Sequence, residues 1–298
     1  MKKIFLTGVS GMLGSNLALC WREHCEILGI YHQHRWTLDG IKTKQTDLSD
    51  FSSVSALLED FHPDVIVHAA AAVDVDRCEQ EPQWAYRTNV VATKNLVEAA
   101  AKNCKFVYIS TDLVYDGVKG SYTESDSVNP VNVYAKSKLT GEQEASRLPN
   151  HLIARTNIFG FNVQDKMCFA ERVIKEAKAK TIKGFTDSFF SSLYTCDMAS
   201  LLSAAIEKDL RGIYHFGSST SKSRYDFADT LAQQLGYGKD LITASSIKDY
   251  PFKARRAPDL SLQTKKLSDA TGIKVPTQEE TIEHFVKDYK NGINGELQ

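Results

Sequence analysis

An α/β fold built on a doubly wound parallel sheet is what the sequence predicts, and three observations carry that prediction. Short apolar runs alternate with helix-forming stretches through the first half of the 298-residue chain. The runs are near-continuously apolar, as strands covered by helices on both faces require. Gly8-x-x-Gly11-x-x-Gly14 follows the first run directly, at the mouth of a helix. There a chain turns tightly, approaches a pyrophosphate without a Cβ and aims helix-terminal N–H groups at it. The expected architecture is a Rossmann-type domain over residues 1–160, taking back segments from the C-terminal half. A smaller substrate-binding lobe is expected over residues 161–298.

Each element follows from its own pattern. Residues 4–6 make the first strand, 12–22 a helix and 26–31 a second strand. A helix through Leu57 and Leu58 precedes a strand at 64–68, and the helix-forming stretch 84–101 precedes a strand at 105–110. A helix over 134–146 then leads to a strand at 151–155. Past Thr156 the rhythm loosens into helices at 169–179, 198–207 and 224–235, a strand at 212–217 and a Ser- and Phe-rich segment at 185–194. Basic residues and two prolines crowd 246–262, and an amphipathic helix over 277–289 closes the pattern.

With 36 Lys and Arg against 37 Asp and Glu, the net charge of -1 offers no global field for nucleic acid or an anionic membrane. Anion recognition must be local. The six cysteines show no C-x-x-C pair and no clustering with His at metal-ligand spacing, which leaves free thiols and no metal site. The longest near-apolar run, residues 65–73, is interrupted by His68 and too short to cross a bilayer. Met1-Lys2-Lys3 leads straight into a strand, and a reducing cytoplasm is the expected compartment.

Gly8, Gly11 and Gly14, with Met12 and Leu13 opening the helix, are the expected dinucleotide loop. The end of the second strand should face the adenosine ribose, where an acid would select the free hydroxyls of NAD. This chain reads Tyr31-His32-Gln33-His34-Arg35 and has no carboxylate before Asp39. Arg35, helped by His32 or His34, suits a 2′-phosphate, so NADP(H) is expected over NAD(H). Asp47 and Leu48 stand where the adenine edge passes. Ala69, Ala70 and Ala71 end a strand with side chains small enough for close cofactor approach, and Asn89 can hydrogen-bond neighbouring loops. His68 reads as a satisfied core histidine.

Tyr134-Ala-Lys-Ser-Lys138 puts a phenol and an ammonium four residues apart on one helix face, so that the cation lowers the phenol's pKa. Reducing a ketone requires hydride at carbon and a proton for the developing alkoxide, with donors already aimed at that oxygen. Tyr134 supplies the proton, Lys138 tunes it and holds the nicotinamide ribose, and Thr111 steadies the carbonyl oxygen. The chain reads as a nicotinamide-dependent carbonyl oxidoreductase.

These motifs together resemble the extended short-chain dehydrogenase/reductase family, and within it the dTDP-4-dehydrorhamnose reductase group of sugar-nucleotide-binding proteins. The resemblance runs through the glycine loop, Val67-His-Ala-Ala-Ala71, Ser110-Thr-Asp-Leu-Val-Tyr-Asp-Gly117 and Tyr134 to Lys138. It continues through Arg155-Thr156, Asp197-Met-Ala199 and Arg256-Ala-Pro-Asp-Leu-Ser-Leu262. It implies Thr111, Tyr134 and Lys138 as the catalytic triad, with substrate contacts at Thr111, Asp112, Asn157, Phe190, Ser191 and Arg256. It implies NADPH-dependent reduction of a keto group, C4 being the expected position, on a nucleotide-linked deoxysugar. A homodimer is the candidate assembly.

Leu113 stands where the related 4,6-dehydratases carry an acid that moves a proton during elimination, and Ser110-Thr-Asp replaces the serine-rich segment usual in 4-epimerases. Dehydration and epimerisation are both disfavoured. Asn157 follows Arg155-Thr156 where the rhamnose enzymes typically carry tryptophan, and Arg256-Ala257 replaces their Arg-Pro. Both departures alter the expected sugar pocket. The regulatory beta subunit of methionine adenosyltransferase resembles the same fold, so a non-catalytic, partner-binding role is the alternative, beside reduction of a non-nucleotide ketone.

Overall fold

The computed structural model describes residues 1–298 apart from 165, 178–181, 239–240, 294 and 296–298. β1 (Lys2–Thr7) leads into α1 (Met12–Trp21), followed by β2 (Cys25–Tyr31), β3 (Lys42–Gln45), α2 (Phe51–Phe61) and β4 (Val65–His68). Then come α3 (Val75–Gln80), α4 (Pro82–Tyr86), α5 (Ala92–Ala99), β5 (Lys105–Thr111), α6 (Val133–Ala145) and β6 (His151–Thr156). The remainder comprises β7 (Ile158–Phe159), α7 (Phe169–Glu176), β8 (Ile182–Phe185), β9 (Phe189–Phe190), β10 (Leu193–Tyr194), α8 (Thr195–Glu207) and β11 (Gly212–Phe216). It ends with β12 (Lys222–Ser223), α9 (Arg224–Gln234), β13 (Ile242–Ser245), β14 (Asp259–Leu260), α10 (Lys265–Thr271) and α11 (Gln278–Lys290).

Seven strands pair in parallel in the order β11-β6-β5-β4-β1-β2-β3, with β11 arriving from the C-terminal half to lie beside β6. Alternate residues of the central strands feed opposite core layers: Leu6, Val67 and Val107 face one, and Phe5, Ile66 and Phe106 the other. That two-sided burial is the physical reason the strands read as continuous apolar runs. Winding reverses between β1 and β4, which opens a crevice beyond their carboxyl ends. Three small sheets, β12-β9-β14, β10-β7 and β13-β8, come mainly from the C-terminal half.

Two expected helices differ in detail. The stretch 84–101 is divided into α4, a π-helical turn over Arg87–Val91 and α5. Propensity cannot reveal such a turn, because every residue in it remains helical in character. The helix expected over 169–179 runs to Glu176 with Ala177 as its cap, and its expected end at Ala179 lies outside the described residues. Among the described residues no helix is long and apolar enough to cross a membrane.

Candidate active site

The glycine loop is shaped by contacts that exclude a side chain. Gly8 has φ +71°, and a Cβ there would lie 2.7 Å from the backbone nitrogen of Ala70; one on Gly14 would lie 2.1 Å from the carbonyl oxygen of Gly8. The N-cap of α1, Gly11, offers no side-chain acceptor to the first helical N–H groups, so Met12 and Leu13 begin a helix whose donors are open to an anion. Thr7 ties this loop to the end of β4: its Oγ1 is 2.7 Å from His68 Nδ1 and accepts the Ala70 N–H at 3.1 Å. Ala69, Ala70 and Ala71 are half-buried beside it. A cradle that any Cβ would fill, below an uncapped helix, suits a dinucleotide pyrophosphate.

His68 is a core histidine: its Nε2 lies 3.0 Å from Thr93 Oγ1, and burial with the nearby Lys138 charge lowers its pKa to about 3. Asn89 projects from the π turn and is engaged by protein at both amide atoms. Its Oδ1 accepts the Ala72 N–H at 2.8 Å, and its Nδ2 donates to Ser137 Oγ at 2.8 Å and the Ala72 carbonyl at 3.3 Å. Asn89 therefore holds the loop after β4 against α6, the bonding to neighbouring loops expected of it.

Beyond β2, His32 and Arg35 are exposed, and no described residue bonds to Arg35. Asp47 is engaged by Ser49 and by Arg87 NH2 at 2.8 Å. Burial pushes its carboxyl up, but the Ser49 bonds and the Arg87 and His32 charges bring it below the ordinary value. Leu48 is buried beneath it.

Tyr134 is brought to the crevice by the start of α6. Asn132 caps that helix, accepting the Ala135 N–H at 2.9 Å and donating to the Arg255 carbonyl at 3.1 Å. Tyr134 is buried among Ala72, Cys78 and Ala85, with its phenol bonded to the Thr111 side chain. Lys138 is also buried; its Nζ donates to the Ile109 carbonyl at 2.7 Å and sits 4.1 Å from the Tyr108 ring centre. The expected lowering of the phenol's pKa by Lys138 is corrected: burial raises the phenol above its ordinary value, partly offset by the Thr111 bond. Burial acts on Lys138 as well, lowering it to about 7 against the upward pull of Glu142. Shared helix face gave the proximity; desolvation decides the protonation.

Asp112 is fully buried, with its carboxylate held by Asn157 Nδ2 at 2.9 Å and Thr111 Oγ1 at 3.1 Å. Burial raises its pKa to about 6, while those bonds and the Arg224 charge pull it down. Arg256 pairs with Asp76 at 3.0 Å across from Asn132 and α6. Phe190 is buried against Phe227 and beneath Arg224. Ser191 is buried too, with its hydroxyl accepting the Leu262 N–H at 3.1 Å. That bond ties the end of β9 to the segment after β14. Arg224 belongs to none of the sequence motifs, although an arginine directly after a helix-capping serine opposes the helix dipole and so breaks a local rule.

A glycine cradle, a buried Thr-Tyr-Lys trio and a crevice at the switch point are thus parts of one site. Residues 1–291 match the family described as the RmlD substrate binding domain. The chain belongs to that family. It is 32% identical over 289 residues to the dTDP-4-dehydrorhamnose reductase of Aggregatibacter actinomycetemcomitans, covering 92% of this chain and 94% of the relative. The crystal structure of the Bacillus anthracis dTDP-4-dehydrorhamnose reductase in complex with NADP superposes with a TM-score of 0.85 at 27% identity, covering 96% of this chain and 99% of that one. The chain is also 30% identical over 286 residues to methionine adenosyltransferase 2 subunit beta of Rattus norvegicus, covering 89% of this chain and 81% of the relative. One RmlD-type scaffold therefore carries both a named reductase and a named subunit.

Proposed function

We propose that this chain reduces a keto group, at C4, of a nucleotide-linked deoxysugar, using NADPH. The observation that carries the reading is the convergence of Thr111, Tyr134 and Lys138, all buried, at the end of the crevice that the glycine cradle opens. Residues 1–160 hold the cofactor and residues 161–298 mainly hold the sugar nucleotide. Gly8, Gly11, Met12, Leu13 and Gly14 receive the pyrophosphate, His32 and Arg35 the 2′-phosphate, and Asp47 and Leu48 the adenine edge. Bound NADPH supplies the hydride.

Thr111 and Tyr134 then share the carbonyl oxygen. Burial keeps the phenol protonated, so a proton is in place when negative charge develops on that oxygen. Lys138 offsets the charge left on the phenolate and reaches the nicotinamide ribose. In the free site the single Thr111 hydroxyl proton points to Asp112, itself held by Asn157, and it turns to the carbonyl oxygen when the substrate enters. Leu113 offers no proton-transfer group, which supports reduction over elimination. A cytoplasmic location and a homodimer belong to the same reading.

The test is NADPH oxidation with a panel of 4-keto sugar nucleotides, run beside Tyr134→Phe. Turnover with at least one sugar is expected, falling about 10²- to 10⁴-fold in the variant while NADPH affinity is kept. Unchanged turnover in Tyr134→Phe sinks the mechanism. Cofactor binding without oxidation across the panel moves weight to a partner-binding subunit, the reading favoured by the likeness to methionine adenosyltransferase 2 subunit beta. Reduction of simple ketones that free nucleoside diphosphates do not block moves it to a non-nucleotide substrate.

A further inference from the structure

Arg224 is the group the triad does not explain. It opens α9 immediately after the capping Ser223. Its guanidinium is half-buried, 4.7 Å from the ring centre of Phe190 and 5.6 Å from that of Phe169. No described residue accepts a hydrogen bond from it, although a desolvated guanidinium has five donors to satisfy. Arg172, one turn into α7, stands over the same Phe169 ring at 5.3 Å. Arg256 is the third cation close enough to oppose Arg224.

The nearby acids are already engaged. Glu171 accepts the Cys168 and Asn162 N–H groups, each at 2.8 Å, and Asp226 accepts from Ser223 Oγ at 2.5 Å. Asp76 pairs with Arg256, and Asp112 is held by Thr111 and Asn157. Two helix N-termini and three guanidiniums therefore converge with their positive potential incompletely met. Stacking on two phenyl faces fixes the plane of Arg224 and leaves its N–H edge for planar acceptors such as phosphate oxygens.

We propose that Arg224, assisted by Arg172 and Arg256, seats the diphosphate of the sugar nucleotide; this rests on the reductase reading above. Asp112 supplies the scale. It bonds Thr111, which meets the reacting oxygen, and lies within electrostatic range of Arg224. C4 and the anomeric carbon lie across one pyranose ring, so a diphosphate on the anomeric oxygen falls on the Arg224 side.

The experiment is calorimetric titration of the full chain, saturated with NADP, with thymidine and uridine 5′-diphosphates and the matching monophosphates. The wild type is expected to favour the diphosphate about tenfold or more, Arg224→Gln to lose that preference and Arg224→Lys to keep part of it. Arg172→Gln, on an exposed side chain, is expected to reduce it a few-fold. NADPH affinity, measured in parallel, reports that each variant has folded. Preference intact in both Gln variants overturns the assignment, while turnover of a sugar nucleotide by the wild type would leave the reductase reading standing. A wild type that neither turns over a sugar nucleotide nor prefers diphosphate overturns both.

Discussion

Arg155 and Arg224 lie on the same side of the molecule, close to the Ser110-Thr111-Asp112 segment, and their surroundings are opposite. Arg155 is buried, and each of its three guanidinium nitrogens has a partner. It donates to both Glu142 oxygens at 3.0 and 2.7 Å and to Tyr115 Oη at 2.8 Å. Ser110 adds a 2.5 Å bond to the same carboxylate, and Tyr115 Oη lies 2.8 Å from His215 Nε2. Arg224 is stacked on rings and has no acceptor among the described residues. Arg155 is enclosed and Arg224 half-buried, but burial does not assign their roles. What separates them is whether the protein itself answers the charge: Arg155 locks α6 to β5 and β6, whereas Arg224 waits for a ligand to supply oxygen.

The largest expected effect falls on the partnered arginine. Arg155→Met leaves Glu142 buried with its main counter-charge gone and should cost about 3–5 kcal/mol in denaturant unfolding. Combining it with Glu142→Leu should recover most of that loss, because two apolar groups leave no charge unanswered. Arg224→Gln should cost below about 1 kcal/mol in the same assay, since no protein bond is broken. Equal losses for Arg155→Met and Arg224→Gln would collapse the distinction.

Arg35 extends the comparison to the surface. It is exposed and without a partner among the described residues, as a group reserved for a 2′-phosphate would be. Arg35→Ala should weaken NADPH by about 10- to 100-fold, leave NADH nearly unchanged and not alter stability. Parallel losses for both cofactors, measured by fluorescence titration, would remove the phosphate-reading role.

The parts legible in the sequence were those set by local constraints. Two-sided burial wrote the strands of the central sheet as apolar runs, and close backbone approach required glycine at Gly8 and Gly14. Helical spacing brought Tyr134 and Lys138 together. What was not legible depends on the tertiary surroundings. Desolvation, which spacing does not encode, set the direction of the Tyr134 and Lys138 shifts. The polar character of Asn89 and Ser191 is visible in the sequence, whereas their engagement by Ala72, Ser137 and Leu262 exists only in the fold. Arg224 gathers meaning only when α7 and α9 bring Phe169, Phe190 and Arg172 around it, although its place after Ser223 was a signal.

The smallest effect is the one that joins the two regions. Glu142 lies one turn beyond Lys138 on α6 and pulls the pKa of its ammonium upward against the burial that lowers it to about 7. The other titratable groups facing Lys138 change little in this range: His68 is neutral down to about pH 3, and burial raises both Tyr108 and Tyr134 above their ordinary values. Turnover that needs a charged Lys138 must therefore fall as pH rises through the Lys138 pKa. Glu142→Gln removes the charge that favours the ammonium, and the unpaired Arg155 opposes it further, so this fall should begin at lower pH. Arg155→Met leaves Glu142 less compensated and should move it to higher pH. The measurement is kcat/KM between about pH 5 and 9, with NADPH saturating. Opposite shifts would mean the buried pair tunes the site as well as bracing it; no shift in either variant would reduce Arg155 and Glu142 to scaffolding alone.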